Sequence, residues 1–270
     1  MKNLVKSLIP PIALKVLQKI RLYRYGWKGD YVTWQDAEND SIGYDSEKIL
    51  QKVKTSMLKV KNGEAAYERD GVIFDKIQYS WPLLSGLMFA CSVEKGALKV
   101  LDFGGSLGTS YYQNKFFLDK LDDVSWSVVE QKHFVDTGKK YFEDDKLKFF
   151  YDVNECIRQE NPNVLLLSSV LMYIEKPYEL LDTLLEYDFS YILIDKTQFS
   201  KSTERITLQI VPPSIYKASY PCRFFKEATL KEYFIKHQYV MLEDFHSYDD
   251  DNDEYEFKGM ILEKVNNQNV

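Results

Sequence analysis

Two acidic residues and a cluster of glycines, held at fixed spacing, carry the clearest chemical signal in the chain. The stretch Lys99-Val-Leu-Asp-Phe-Gly-Gly-Ser-Leu-Gly-Thr109 reads as an apolar strand that stops at Asp102. It then turns through Gly104, Gly105, Ser106 and Gly108 into a helix. Glycines admit positive φ and close backbone approach, and a helix start offers N–H groups without an intrahelical partner. Donors arranged in this way suit a nucleotide-like ligand. Twenty-two residues beyond Gly108, the apolar run Trp126-Ser-Val-Val-Glu130 ends in a second acid. A carboxylate at that distance can grip the two ribose hydroxyls of an adenosyl group. Together the two features indicate an enzyme that uses a nucleoside cofactor.

A second group of residues follows further along. Asp195-Lys196 ends an apolar run that starts at Tyr191. Arg205, Gln209, Tyr216, Tyr220 and Arg223 then occupy a proline-punctuated segment, too polar for a core and too aromatic for a random loop. Aromatic faces with Arg and Gln donors suit a polyhydroxylated or phosphorylated substrate. The same composition also fits an extended cover over a sheet edge. His133, His237 and His246 show no mutual spacing for a metal or a proton relay. Cys91, Cys156 and Cys222 are scattered and odd in number, so reduced thiols and no metal site are expected.

These residues need a scaffold, and the hydrophobic pattern supplies one. Strands are predicted at Lys99–Phe103, Ser125–Glu130, Lys148–Tyr151, Val164–Ser168 and Tyr191–Asp195. Helices are predicted between them at Thr109–Leu121, Lys132–Tyr141, Asn154–Glu160 and Pro177–Tyr187. Such alternation argues for a parallel sheet covered on both faces, with ligand outside the C-terminal strand ends. After a helix at Ala228–His237, Tyr239–Phe245 and Glu256–Lys264 follow each other across an acidic turn, Asp249–Glu254. That is a hairpin, so the last strand must run antiparallel. The expected fold is therefore α/β: a Rossmann-like, doubly wound, mostly parallel seven-stranded sheet with an antiparallel C-terminal hairpin strand. Ahead of it, residues 31–98 read as a mostly helical extension, with helices at Ser46–Val60 and Ser80–Cys91.

Composition narrows the partners. The chain has 270 residues, 45% of them hydrophobic, with 20 Tyr and 16 Phe. Residues 1–29 hold seven basic side chains and no acid, so the net charge of −6 leaves −13 for the remainder. A body this acidic is a poor nucleic-acid binder. Ser7–Leu14, the longest uncharged run near the start, is broken by Pro10-Pro11 and too short to span a bilayer. Ile12–Tyr23 places Ala13, Val16, Leu17 and Ile20 on one helical face of a basic arm, residues 1–30. Such an arm fits peripheral contact with an anionic membrane, docking on the domain, or a homo-oligomer interface. A cytoplasmic location, at the inner membrane face if the arm binds lipid, is the expectation.

The segment around Asp102 resembles the first motif of class I S-adenosylmethionine-dependent methyltransferases, with residues 99–270 as the catalytic domain. Asp102, Gly104 and Gly108 match that motif; Ser106 stands where a middle glycine is usual, and Gly105 beside it keeps the turn permissive. The resemblance implies S-adenosyl-L-methionine as cofactor. Asp102 would organise the loop or the cofactor's amino group, Glu130 the ribose, and Asp152 or its neighbours would lie near adenine. Ser168-Ser169 resembles the segment beside the transferred methyl, and Tyr173 falls where many members carry an aromatic or His. The chain is also similar to a group of methyltransferases found with bacterial surface-polysaccharide genes. That similarity rests on Trp27 to Tyr44, Glu130-Gln131, Tyr191 to Thr197 and Leu208 to Pro221. It implies O-methylation of a small-molecule or glycan acceptor. Methyl transfer to a hydroxyl needs in-line positioning and a base. Asp195 is the first candidate by position and Tyr173 the second, with Lys196 and Arg205 suited to fixing a substrate anion. The competing expectation is a binding or scaffold protein that keeps the fold without catalysis.

Overall fold

The computed structural model describes residues 25–43, 46–247 and 253–265. Its first elements are β1 (Gly26–Tyr31), α1 (Trp34–Asn39), α2 (Ser46–Lys61), β2 (Tyr67–Arg69), β3 (Val72–Phe74) and α3 (Trp81–Val93). The alternating part follows: β4 (Ala97–Phe103), α4 (Thr109–Leu118), β5 (Asp123–Val129), α5 (Lys132–Tyr141), β6 (Leu147–Phe150), α6 (Val153–Glu160), β7 (Val164–Ser168) and α7 (Pro177–Leu185). The chain continues with β8 (Tyr191–Ser200), β9 (Arg205–Ile210), β10 (Ser219–Phe224), α8 (Glu227–Lys236), β11 (Tyr239–His246) and β12 (Tyr255–Lys264).

Seven strands form one sheet in the order β11-β12-β8-β7-β4-β5-β6. Strands β4 to β8 are parallel, and β12 enters antiparallel between β8 and β11. This is the Rossmann-like fold of the methyltransferases. Its strands are near-continuous apolar runs, as burial on both faces requires: Leu165, Leu166 and Leu167, like Ile192, Leu193 and Ile194, are fully buried. Helix α3 lies flush on the sheet at Gly86, where even a methyl would come within 2.9 Å of Leu193. The chain runs from β4 outward to β5 and β6, then returns to the other side of β4 with β7. Ligands of open α/β sheets bind at such a reversal, and the glycine turn follows β4 there.

By its contacts the chain divides into two units. The larger holds Ser46–Glu204 with Arg223–Val270 and contains the seven-stranded sheet; the described part of the smaller is residues 25–43 with Arg205–Cys222. The smaller unit is built on an antiparallel sheet of order β1-β9-β10, which the sequence reading does not anticipate. Gln209 pairs there with Trp27, some 180 residues away. A second addition is the short hairpin β2–β3 within the helical extension, turned at Asp70 (φ 53°) and Gly71 (φ 73°). Positive φ at both positions is the two-residue turn that matches strand twist, for which Asp-Gly is a preferred pair. Strand β8 also departs from expectation. It does not end at Asp195 but continues to Ser200, with Thr197 and Gln198 fully buried.

Most of the basic arm and most of the acidic turn, Asp249 to Asn252, lie outside the described residues. No described helix is long and apolar enough to cross a membrane. Cys91, Cys156 and Cys222 are buried free thiols.

Candidate functional site

The parallel strands deliver their C-terminal ends to one edge of the sheet, and backbone strain gathers there. Gly104 (φ 72°) and Gly108 (φ 84°) occupy the left-handed region, where glycine is at ease. Ser106 (φ 56°), Ser169 (φ 56°) and Lys196 (φ 50°) occupy it as non-glycine residues, following β4, β7 and a break within β8. Strain of this kind costs energy and recurs at ligand sites. Ser106 therefore has the geometry of the glycine it replaces. Ser106→Gly is expected to raise stability by about 0.5–1 kcal/mol, read from the unfolding midpoint in urea.

Asp102 lies beneath the turn and is 1% exposed. Trp126 Nε1 donates to its Oδ2 at 3.0 Å. A β-carbon at Gly105 would fall 2.5 Å from the Asp102 carboxyl, which is why this second glycine is required. Burial pushes the Asp102 pKa up to about 7, against the Trp126 hydrogen bond; Glu130 raises it further and Lys196 lowers it.

Glu130 follows β5. Its Oε2 accepts the Gln131 N–H at 2.6 Å. Burial raises its pKa, while the neighbouring backbone N–H groups of Gln131 and Ser106 pull it back. The Gly104 N–H donates to Val129 O at 2.9 Å, tying the same two segments together. Gln131 is exposed at the N-terminus of α5. Asp152 is exposed too and caps α6, accepting the Glu155 N–H at 2.8 Å.

On the other side of β4, Ser168 pairs with Asp195, and the exposed Ser169 donates its N–H to Asp195 O at 3.0 Å. Tyr173 is half-buried at the end of a single 3₁₀ turn, Leu171–Tyr173. Asp195 and Lys196 form a bulge inside β8: Ile194 pairs with Met260 and Thr197 with Lys258, leaving two residues opposite Gly259. Bulges re-aim side chains. Here Asp195 is fully buried; its Oδ1 accepts Ser247 Oγ at 3.0 Å and the Lys196 N–H at 2.9 Å. Lys196 Nζ stands 3.9 Å from Asp195 Oδ2.

The remaining substrate candidates divide between the units. Arg205 and Gln209 are on β9, Tyr220 is on β10 and Tyr216 precedes it, all in the smaller unit. Arg223 belongs to the larger unit, where it pairs with Glu204 at 2.7 Å and donates to Glu175 O at 3.0 Å. Among the described residues no group of three His, Cys, Asp or Glu side chains is placed to hold a metal. A cavity beside Glu94, Asp188, Tyr191 and Glu263 opens at the N-terminal end of β8, opposite the glycine turn.

Sequence reasoning missed Glu68, which is 1% exposed and donated to by Thr109, the first residue of α4. No motif surrounds it; only the fold brings it to the turn.

The strand order defines the class: a methyltransferase-type Rossmann-like fold. No family profile and no curated protein matches the sequence. Among solved structures the chain is similar to the N-terminal domain of EvdMO1, crystallised with S-adenosylhomocysteine and D-fucose. That pair shares 14% identity over 83% of this chain and 98% of that one, with a TM-score of 0.48. It is also similar to magnesium protoporphyrin IX methyltransferase from Synechocystis with bound S-adenosylmethionine (9% identity, 68% and 79% covered, TM-score 0.45). A third is the 1,6-didemethyltoxoflavin-N1-methyltransferase of Burkholderia thailandensis (11% identity, 84% and 93% covered, TM-score 0.46). The fold assignment rests on the chain's own strand order and not on these likenesses.

Proposed function

We propose that this protein is an S-adenosylmethionine-dependent methyltransferase that O-methylates a sugar of a bacterial surface polysaccharide or its precursor. The observation that carries the cofactor is the joining of the glycine turn to the end of β5, through the Gly104 N–H on Val129 O at 2.9 Å beside Glu130, at the fold's reversal point. The residues fit an adenosyl group. Gly104, Ser106 and Gly108 form a left-handed turn at the strand ends, and Glu130 supplies the carboxylate for the ribose. Asp102 holds the turn from beneath, and Gln131 and Asp152 border the adenine side. Ser168 and Ser169 flank the methionine side.

When bound, the sulfonium supplies an activated methyl with its own leaving group. The protein's part is to orient the acceptor and remove its proton. Asp195, steadied by Ser247, and Tyr173 are the groups proposed for the proton. Within the larger unit Lys196 and Arg223, and within the smaller unit Arg205, Gln209, Tyr216 and Tyr220, are proposed as groups able to take an acceptor's hydroxyls or anionic groups. The glycan acceptor rests on the sequence resemblance of Trp27–Tyr44, Tyr191–Thr197 and Leu208–Pro221 and on this aromatic, donor-rich set. The basic arm is proposed to bring the enzyme to the inner membrane face. An arm that packs on the domain or joins a homo-oligomer is the alternative role.

The second reading, a non-catalytic scaffold, is favoured by one observation: Asp195 is wholly buried and its Oδ1 already accepts two hydrogen bonds. Incubation with radiolabelled S-adenosylmethionine and a panel of nucleotide sugars and lipid-linked glycans separates the two. Label incorporated into a sugar supports the enzyme. Binding of S-adenosylhomocysteine without any transfer would support the scaffold.

A further inference from the structure

The residues that form the glycine turn do not hold it alone. Hairpin β2–β3 reaches the start of α4 with one buried carboxylate. Glu68 Oε2 accepts the Thr109 hydroxyl at 2.9 Å, and Oε1 accepts the Gly71 N–H at 2.6 Å. On the hairpin's far side, Ser56 of α2 donates to Gly71 O at 2.9 Å. A continuous chain of hydrogen bonds thus runs from α2 through the hairpin turn to the residue after Gly108.

Three features show that this contact acts on the turn. Gly108 is the N-cap of α4, and no side-chain cap serves this helix. Glu68 reaches this end of the helix through the Thr109 hydroxyl, and a carboxylate near a helix N-terminus is favourable. Secondly, Glu68 is a costly residue for mere packing. Burial pushes its pKa up to about 7, and the nearby Asp70 adds to the rise, while the Gly71 and Thr109 hydrogen bonds oppose it. An apolar side chain would fill the same space more cheaply. Thirdly, the strain of Ser106 in the left-handed turn must be fixed by its surroundings. The Asp102 carboxyl lies against Gly105, and Glu68 holds the helix into which the turn runs.

We propose that Glu68 is a positioning residue: through Thr109 it locks the first turn of α4 and keeps the glycine turn in the shape that receives the adenosyl ligand. This inference rests on the proposed cofactor site, so its test has one arm that needs no ligand. Hydrogen exchange of the amides from Ser106 to Tyr112 would be followed in the full chain. Affinity for S-adenosylhomocysteine would be measured by calorimetry on the same samples.

Glu68→Leu and Thr109→Val each remove the bond at near-constant volume. Both should speed exchange of these amides about tenfold and weaken S-adenosylhomocysteine about tenfold, the scale of one hydrogen bond to a charged group. Glu68→Gln and Thr109→Ser keep a partner on each side and should restore both readouts, a rescue that loss of packing would not show. If Glu68→Leu fails to fold, Thr109→Val carries the test. Unchanged exchange in Thr109→Val overturns the lock. Faster exchange with unchanged affinity overturns its role in ligand binding. A wild type that binds no S-adenosylhomocysteine overturns the cofactor reading instead, while the exchange arm still judges the lock.

Discussion

Asp102→Asn is expected to stabilise the protein strongly at pH 8 and hardly at all near pH 4. The reasoning starts from a carboxyl that is 1% exposed and whose pKa burial lifts from 3.8 to about 7. Between those values the folded chain keeps a proton that the unfolded chain has released. The stability this group contributes is therefore complete below about pH 3.8 and is lost as pH rises through about 7. Above that, a buried charge remains, with Trp126 Nε1 donating to it at 3.0 Å. Asparagine cannot ionise, yet its carbonyl oxygen can still accept from Trp126. At about 1.4 kcal/mol per pKa unit, the rise from 3.8 to about 7 should give the variant a gain on the order of 4 kcal/mol at pH 8. Urea unfolding of both proteins at pH 4, 6 and 8 measures it. Glu68 is present in both, so its titration cancels, whereas the charge coupling of Glu130 to Asp102 is part of the difference measured. A pH-independent difference would show that Asp102 is already ionised at pH 4.

Glu130→Ala should weaken S-adenosylhomocysteine by roughly 1–3 kcal/mol, the scale for leaving hydroxyl partners unpaired. That corresponds to about 5- to 150-fold in dissociation constant. Part of the loss has a second source, because the carboxylate also accepts the Gln131 N–H and so shapes the start of α5. Glu130→Gln separates the contributions. Its amide oxygen can keep the backbone donors, so a Gln variant as weak as the Ala variant assigns the effect to the ribose. An affinity unchanged in Glu130→Ala, by calorimetry, would move the ribose site elsewhere.

Much of the sheet is legible because its strands are buried on both faces. Val100-Leu101, Val128-Val129, Leu165–Leu167 and Ile192–Ile194 are apolar runs that no other period explains. The glycine turn is legible because positive φ leaves few residue choices, and Glu130 because the fold fixes its distance from that turn. What is hidden depends on contacts between remote segments. β1 reads Gly-Trp-Lys-Gly-Asp-Tyr, with two glycines and two charges, and becomes a strand by pairing with β9. β2 and β3 have three residues each, too few for a period. The Asp195-Lys196 bulge depends on Gly259, where a β-carbon would strike Phe245 and come within 2.6 Å of Ile194 O. The polar Thr197 and Gln198 disguise the continuation of β8, and Glu68 owes its place to the hairpin alone.

A crystal structure of the full chain with S-adenosylhomocysteine interrogates the central assignment most directly. The ribose hydroxyls should lie within hydrogen-bond distance of Glu130, with the methionine end against Gly104 to Ser106. Ligand density at any other edge of the sheet, or none at saturating concentration, would contradict the assignment.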